Sequence, residues 1–304
     1  MVESPEAIVF EPLTVEDPDL PINKSTEPEL LLVKQKPITA SFRTTIKHLQ
    51  SKGGFRARFR GFSIFFVNVM LVNWISGLLN TFVPFLLAPI IATIVCARFS
   101  LAWTHIVISD PNPKPWYRRF PSIKTWKKVA GPTAILAIAE QAAIVLPAYL
   151  AARFNFIGSP DFAYTTSAER QIMALKGFSV LAISLALAFL VVIPANVTLT
   201  RVQASLLPDE IESIVPFDRS FGGKVIPEIV GGSGVVGMLD AWKTFDWNSR
   251  IRLVKAYAKV LAMQFGLSVL FFVTIGAEIA LIVGKDLKKI FPDDGKDGKS
   301  VVFN

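Results

Sequence analysis

Four polar side chains stand inside long apolar stretches of this sequence, where a charged or amide group is unusual: Arg98, Glu140, Arg201 and Gln264. Ionisable groups are costly at membrane depth, and those that occur there usually bind a solute, an ion or one another. If these apolar stretches cross a bilayer, the four side chains are the predicted substrate-binding residues.

Arg98 and Glu140 form the first candidate pair, because they stand at similar distances on either side of one basic segment. At ~1.5 Å of rise per helical residue, both would lie at the same depth on neighbouring antiparallel helices. An ion pair between them would belong either to a solute site or to a contact that fixes helix packing. Arg201 and Gln264 are also predicted at comparable depth, which would permit a hydrogen bond. Arg201 could instead extend its head to the membrane surface.

The sequence contains few residues that could perform metal, thiol or acid–base chemistry. One Cys and two His leave no disulfide framework, no Cys-x-x-Cys metal site and little for a His-based mechanism. The stretch from Gly232 to Gly237 has Gly-x-Gly-x-x-Gly spacing, but dinucleotide binding requires that turn inside a βαβ unit. The next long element is instead an apolar helix. The sequence therefore predicts no enzyme, no cofactor and no bound metal ion.

The elements that must position the four side chains are apolar segments of bilayer length. Hydrophobic residues make up 52% of the chain and charged residues 18%, whereas soluble domains average about 25% charged. Segments near the ~20 residues that a membrane-spanning helix needs occur at 61–81, 83–108, 129–152, 177–206 and 256–284. The predicted fold is all-α, a polytopic bundle of about five transmembrane helices, with the lipid bilayer as its first partner.

The charge divides the rest of the chain. The first thirty residues hold eight acids and one base, so residues 1–40 are predicted to be a disordered acidic tail. The juxtamembrane segment 41–60 is basic, and we expect Arg43–Arg60 to meet anionic lipid headgroups. Because most bases flank the predicted spans, the net charge of +8 reflects topology, and no nucleic-acid partner is predicted. The basic sides place the N-terminus, the loop 110–128 and the loop 207–255 together on the inside.

The loop 207–255 is long for a connection between two spans and contains prolines and aromatic residues among mixed charges. Loops of this length usually have a function or pack against the rest of the molecule. We therefore expect an ordered segment that lies over the bundle. It would dock a protein partner, gate a solute path or act as a structural lid. Spans one to four occupy 61–206, span five occupies 256–284, and residues 285–304 form a C-terminal tail.

Two segments resemble motifs of the mitochondrial carrier family of solute transporters. Pro194, Arg201 and Gln203 match the family pattern P-x-D/E-x-x-K/R-x-K/R-x-Q, although Asn196 replaces its acid and Leu199 its first base. The stretch Gly53–Gly61 resembles the pattern D/E-G-x4-Y/W/F-K/R-G, with Gly53 in place of the acid. The resemblance implies a bundle related to helices two to six of a carrier, solute transport and the mitochondrial inner membrane.

The chain is more extensively similar to an uncharacterised multi-pass membrane family of filamentous fungi. The most distinctive part is Ile193–Trp247, and some members of that family have the label ubiquitin carrier protein. The single thiol, Cys96, lies inside the second apolar segment, where a thioester could not meet a ubiquitin tail. This resemblance implies a membrane protein without supplying a mechanism.

These patterns predict an integral membrane protein, with two hypotheses for its function. The first is a diverged carrier-type solute transporter that uses the four polar side chains. The alternative is a non-transporting scaffold or assembly factor whose 207–255 loop binds a protein partner. The endoplasmic reticulum membrane is the alternative location to the mitochondrial inner membrane.

Overall fold

The computed structural model describes residues 7–12, 30–35, 37–154 and 166–283. The chain divides into two compact units, Met1–Arg250 and Ile251–Asn304. Within the described residues the molecule is mainly helical, and the prediction of an all-α membrane bundle is confirmed. The predicted disordered tail, residues 1–40, is described only at 7–12, 30–35 and 37–40. In this part of the chain, strands β1 (Ala7–Pro12) and β2 (Leu30–Gln35) pair antiparallel. The C-terminal tail 285–304 lies outside the described residues.

A short helix precedes the first span. Helix α1 runs over Phe42–Gly53 and is followed by a 3₁₀ turn, Phe55–Phe59. Gly61 then takes a left-handed conformation (φ 76°) where the chain enters the bilayer-length segment. A Cβ at this position would lie 2.9 Å from the Trp103 ring, so both the backbone angle and the close packing favour glycine.

The apolar segments form the long helices that the composition predicts. In chain order the helices are α2 (Phe62–Leu79), α3 (Ala88–Val95), α4 (Ala97–Ile108), α5 (Ile123–Arg153), α6 (Ser167–Leu187) and α7 (Ile193–Ser205). A π-helical turn, Ala188–Val192, joins α6 to α7, and Pro84 lies in the turn between α2 and α3. The second unit is built on the helix that begins in the first, α9 (Trp247–Val283).

Four helical stretches are long and apolar enough to cross a membrane: Phe55–Leu79, Ile123–Arg153, Ser167–Ser205 and Trp247–Leu281. The pair α3 and α4 also passes this test together, although its two helices bend by 54° at their junction. This set corresponds to the five apolar segments of the sequence. The last helix begins at Trp247, before the predicted start of span five at residue 256.

Residues 207–246, which we call the cap, fold over one end of the first unit. The cap contains a 3₁₀ turn, Glu228–Val230, and a short helix, α8 (Met238–Lys243). It completes the main buried cluster, which joins α4, α5 and α7 to the cap through Ala97, Leu101, Val129, Val202, Ala204, Phe221, Val236 and Ala241. Apolar burial of this kind is the main force that holds a loop against a bundle.

The cap, α1 and the segment 109–122 meet at the same end of the first unit, which we call the basic end. Ile214 N–H donates to Ile108 O at 2.8 Å, and Asp110 N–H donates to Glu212 O at 2.8 Å. His48 Nε2 lies 2.8 Å from Ile214 O. The three segments that the charge pattern assigned to one side of the membrane are therefore neighbours.

Candidate functional site

Arg201 is the most deeply buried of the four predicted site residues. It lies near the end of α7 beneath the cap, with 6% of its surface exposed. Its Nη2 donates to Thr244 Oγ1 at 2.9 Å, and its guanidinium carbon is 4.7 Å from the ring centre of Phe221 and 5.5 Å from that of Phe245. A planar guanidinium stacks well on aromatic faces. Arg201 therefore fastens the cap to α7.

An acid of the cap accompanies this arginine. Asp218 accepts a hydrogen bond from Ser220 Oγ at 2.6 Å and another from the Gly222 N–H at 2.7 Å. These hydrogen bonds, with a smaller contribution from the positive charge of Arg201, hold the pKa of the Asp218 carboxyl below its usual value. The carboxylate is thus ionised and holds the turn that carries Phe221.

A buried polar network two residues along α7 joins this helix to α4. Gln203 is 2% exposed; its Oε1 accepts from Thr104 Oγ1 at 2.6 Å, and its Nε2 donates to Ser100 Oγ at 3.1 Å. His105 Nε2 lies 2.8 Å from the backbone oxygen of Gln203. Buried polar groups need such partners, so this network fixes how α4 and α7 pack.

Arg98 and Glu140 do not form the predicted ion pair. Arg98 Nη2 donates to Pro121 O at 2.7 Å, and its guanidinium carbon is 5.8 Å from the Phe120 ring centre. Glu140 is exposed on α5. Equal depth of Arg98 and Glu140 requires that α5 enters the membrane at the same depth at which α4 leaves it. The segment 109–122 instead folds back along α4, and Trp126 Nε1 donates to Ile94 O at 2.8 Å.

Gln264, the fourth predicted site residue, lies on α9 in the second unit, and its side chain is exposed. Its backbone oxygen accepts a hydrogen bond from Ser268 Oγ at 2.9 Å, which is an ordinary contact between successive helical turns. Within the first unit, Arg98 is held by the segment 109–122 and Arg201 by the cap. Among the described residues, no hydrogen bond or ion pair joins Arg98, Glu140 and Arg201 to one another.

A basic pocket opens instead at the basic end, beside the start of the first span. It has a volume of about 280 Å³, and its polar and aromatic lining includes Arg56, Arg60, Lys114, Arg119, Asn112 and Trp116. Four of these side chains are cations, and they come from two separate segments of the chain. A concave site with convergent positive charges suits an anion, and arginine forks match the geometry of phosphate.

Two of the four cations are held in place by the protein. Arg60 Nη2 donates to Ile106 O at 3.0 Å, while its Nη1 is buried and has no hydrogen-bond partner among the described residues. Arg119 Nη2 donates to Ser109 Oγ at 2.7 Å. Burial lowers the pKa of Arg119, which is the cost of removing a cation from water. An anion in the pocket would offset that cost.

The pocket lies where lipid headgroups are expected. Phe55 and Phe59, in the 3₁₀ turn that opens the spanning stretch Phe55–Leu79, and Phe62, at the start of α2, are each more than 60% exposed. Large exposed apolar side chains next to a bilayer-length helix are typical of residues that contact lipid. Arg56 and Arg60 alternate with these aromatics. The pocket therefore adjoins the level at which the chain enters the membrane.

Within the described ranges, no group of three or more His, Cys, Asp or Glu side chains could hold a metal ion. The fold class and the apolar helices define a polytopic helical membrane protein with a basic pocket at one end. Comparison of the chain with protein-family models, with curated proteins and with solved structures finds no match. The similarities to the carrier and fungal families remain predictions.

Sequence reasoning missed the basic pocket and the Gln203 network. The charge pattern predicts Lys114 and Arg119 only as topological bases of the loop 110–128, and the carrier resemblance predicts Gln203 only as a motif position. The signal for the pocket was available in part, because the basic runs at 43–60 and 114–128 were assigned to one side of the membrane. That assignment implies proximity, but only folding brings particular cations from both runs around one cavity.

Proposed function

We propose that the protein is a non-transporting membrane scaffold that binds phosphate-bearing lipid headgroups in its basic pocket. The observation that carries this proposal is the pocket itself, in which two arginine-rich segments place four cations around one cavity. The predicted solute-binding residues of the first unit also favour a scaffold over a transporter, because two of them are already bound by the protein itself. Arg98 and Arg201 are engaged by the polypeptide, and Glu140 forms no ion pair with either of them among the described residues.

An anionic headgroup suits the pocket better than water does. Phosphate oxygens accept several strong hydrogen bonds at once, and charge-assisted bonds from arginine are stronger than bonds between neutral groups. Basic pockets beside membrane-spanning helices are typical headgroup sites. The bound lipid would tie α1 and the start of α2 to the segment 109–122, and would so stabilise the platform on which the cap lies.

The cap supplies the scaffold surface in this proposal. It is anchored at both of its ends, through Arg201 and through the strand-like contact between Ser109 and Ser213. Its outer side chains, including Glu210, Glu212 and Lys224, are exposed. A rigid, charged and solvent-facing surface is suited to docking a protein partner without rearrangement.

The test compares two charge-matched double variants in nanodiscs that contain phosphatidylcholine and phosphatidylglycerol. Arg56→Gln with Lys114→Gln removes two pocket cations that make no described side-chain hydrogen bond. Arg43→Gln with Lys47→Gln removes two exposed cations of α1 that do not line the pocket. Native mass spectrometry after mild lipid release counts the phosphatidylglycerol that stays bound.

We expect the pocket variant to lose most of its retained phosphatidylglycerol, by about tenfold for ~1.4 kcal/mol of lost interaction. The α1 variant should retain nearly all of it. Equal losses in the two variants would show that diffuse charge attracts the lipid and would contradict a specific pocket. Free inorganic phosphate added in excess should not displace the lipid if the acyl chains contribute to binding.

Transport is the second candidate, and irregular helices favour it. The α3–α4 pair bends by 54°, and a π-helical turn interrupts the run from α6 to α7. Interrupted helices occur at the substrate sites of many transporters, and π turns are frequent at functional sites. The carrier resemblance belongs with this candidate, which would use Arg98, Glu140, Arg201 and Gln264.

Uptake into proteoliposomes tests the second candidate with radiolabelled phosphate, a dicarboxylate and a nucleotide as probes. If Arg98→Leu and Glu140→Leu each abolish uptake while thermal unfolding is unchanged, transport replaces the scaffold proposal. Absence of uptake by the wild-type protein for all three probes supports the scaffold. We propose the mitochondrial inner membrane as the location, with the endoplasmic reticulum as the alternative, and imaging of the tagged chain against organelle markers distinguishes the two.

A further inference from the structure

One turn of the cap exposes apolar side chains to an unusual degree. The 3₁₀ turn Glu228–Val230 carries Ile229 and Val230, which are 98% and 77% exposed, and Ile226 just before it is 54% exposed. These residues lie outside the membrane-spanning helices. Single exposed apolar residues are common on protein surfaces, but three within five positions form a patch that requires a partner.

The turn contacts α5 at one position near the start of that helix. Lys128 forms a salt bridge with Glu228, and its Nζ also donates to Ser233 O at 2.7 Å. The hydrogen bond from Lys128 and its positive charge hold the pKa of the Glu228 carboxyl below its usual value, so the salt bridge is ionised at neutral pH. Lys128 is the last base before the apolar run 129–152. The turn therefore stands where α5 enters the hydrocarbon.

A second contact places the next part of the cap at a deeper level on α5. A methyl group at Gly131 would lie 3.9 Å from the sulfur of Met238. Lys128 and Gly131 are three residues apart and so share one face of the helix, with Gly131 about 4.5 Å further along the axis. Leu239, next to Met238, is 75% exposed. This edge of the cap thus follows α5 past the start of its apolar run.

The charges around the turn fit the same partner. Lys124, Lys127 and Lys128 occupy the first turns of α5, and Lys224 lies just before the apolar turn. Apolar side chains flanked by lysines are the composition of segments that lie in the interface of a bilayer, where lysine meets phosphate and the apolar groups meet acyl chains.

We propose that the Ile226–Val230 turn and Leu239 insert into the bilayer interface and form a peripheral anchor of the cap. The cap is then held at two edges. Arg201 and its aromatic partners fasten it to α7 within the protein, and this anchor fastens its α5 edge to lipid. The anchor does not depend on an anion in the basic pocket.

The test uses nitroxide labels on the full chain in nanodiscs, in which both membrane faces are accessible. In a Cys96→Ala background, Ile229→Cys carries one label and Glu210→Cys the matched control, since Glu210 is exposed in the same cap. Paramagnetic resonance then compares collisions of each label with oxygen, which concentrates in the bilayer, and with a water-soluble nickel chelate.

We expect the ratio of oxygen to nickel collisions at residue 229 to exceed the ratio at residue 210 several-fold. Equal ratios would place the turn in water and overturn the proposal. Low collision rates with both reagents would mean that protein covers the turn, which also overturns it. A Val230→Cys label should reproduce the result at residue 229, because both side chains belong to the same turn.

Discussion

Arg201 and Glu140 are both ionisable groups on apolar helices, and the structure surrounds them differently. Arg201 lies near the end of α7, where the cap supplies a hydroxyl, two aromatic rings and a nearby carboxylate. Glu140 lies well inside α5, and its side chain is exposed without a described ion pair. A buried charge is tolerated where other segments deliver polar partners. In this protein the cap makes that difference.

The largest change in the free energy of unfolding is expected at Arg201. Arg201→Leu should destabilise the first unit by roughly 3 kcal/mol, because it removes the stacking on two rings and the hydrogen bond to Thr244 beneath the cap. SDS-titration unfolding in mixed micelles measures the loss. Arg201→Lys keeps the charge but not the planar fork, and should retain part of the stability. Wild-type stability of Arg201→Leu would show that the cap does not depend on this residue.

A smaller loss is expected at the neighbouring buried network. Gln203→Leu fills a similar volume but leaves Thr104 and Ser100 without their amide partner, at a cost of about 1–3 kcal/mol. Adding Thr104→Val removes one of the stranded hydroxyls and should recover part of that loss. The same unfolding titration applied to the single and double variants checks this. If the two changes were simply additive, the hydrogen bond would not be an important contact.

Asp218 should contribute a pH-dependent effect of at most about 1 kcal/mol, because the carboxylate is exposed and screened by solvent. Its pKa is lowered in the folded protein, so its contribution is fully present above the ordinary carboxyl pKa of ~4. The contribution is lost as the pH falls through the folded pKa below that value. Asp218→Asn should therefore be less stable than wild type at pH 7, and the difference should shrink on acidification. A constant difference would contradict this.

The smallest effect is expected at Glu140. Glu140→Gln should change the free energy of unfolding by less than ~0.5 kcal/mol, because glutamine has nearly the same shape and no described partner of the carboxyl is lost. The measurement is the titration used for Arg201→Leu, with Ala143→Ser on the same helix as a neutral control. A loss comparable to that of Arg201→Leu would show that Glu140 has a partner, and would remove the contrast between the two residues.

Much of the fold followed from the sequence. The five apolar segments correspond to four helices and a bent pair of spanning character, because hydropathy over bilayer length is a property of local composition. The turn at Pro84 was also predictable, since proline cannot continue a helix easily. The 54° bend between α3 and α4 and the π turn before Pro194 were not predicted, as apolar composition says nothing about helix curvature.

The candidate site was less accessible to sequence reasoning. Four polar residues are unusual in apolar stretches on sequence grounds alone, but the equal depth predicted for Arg98 and Glu140 treats each helix as crossing the membrane independently. Residues 109–122 fold back along α4, so Arg98 donates its hydrogen bond to Pro121 O in this segment and not to Glu140. Arg60 and Arg119, which lie in ordinary-looking basic runs, became neighbours of the same cavity.

Sequence by itself determined the class of this protein and the number of its bilayer-length segments, and it predicts which loops share a side. Each of these depends on local hydropathy and charge, which every residue carries whatever its neighbours. The tertiary structure alone decided which polar groups meet. Arg201 meets the hydroxyl of Thr244 and the rings of Phe221 and Phe245 in the cap, and two basic runs meet around one pocket. Those pairings depend on contacts between distant segments, and the distances between such segments are established only when the helices and the cap pack.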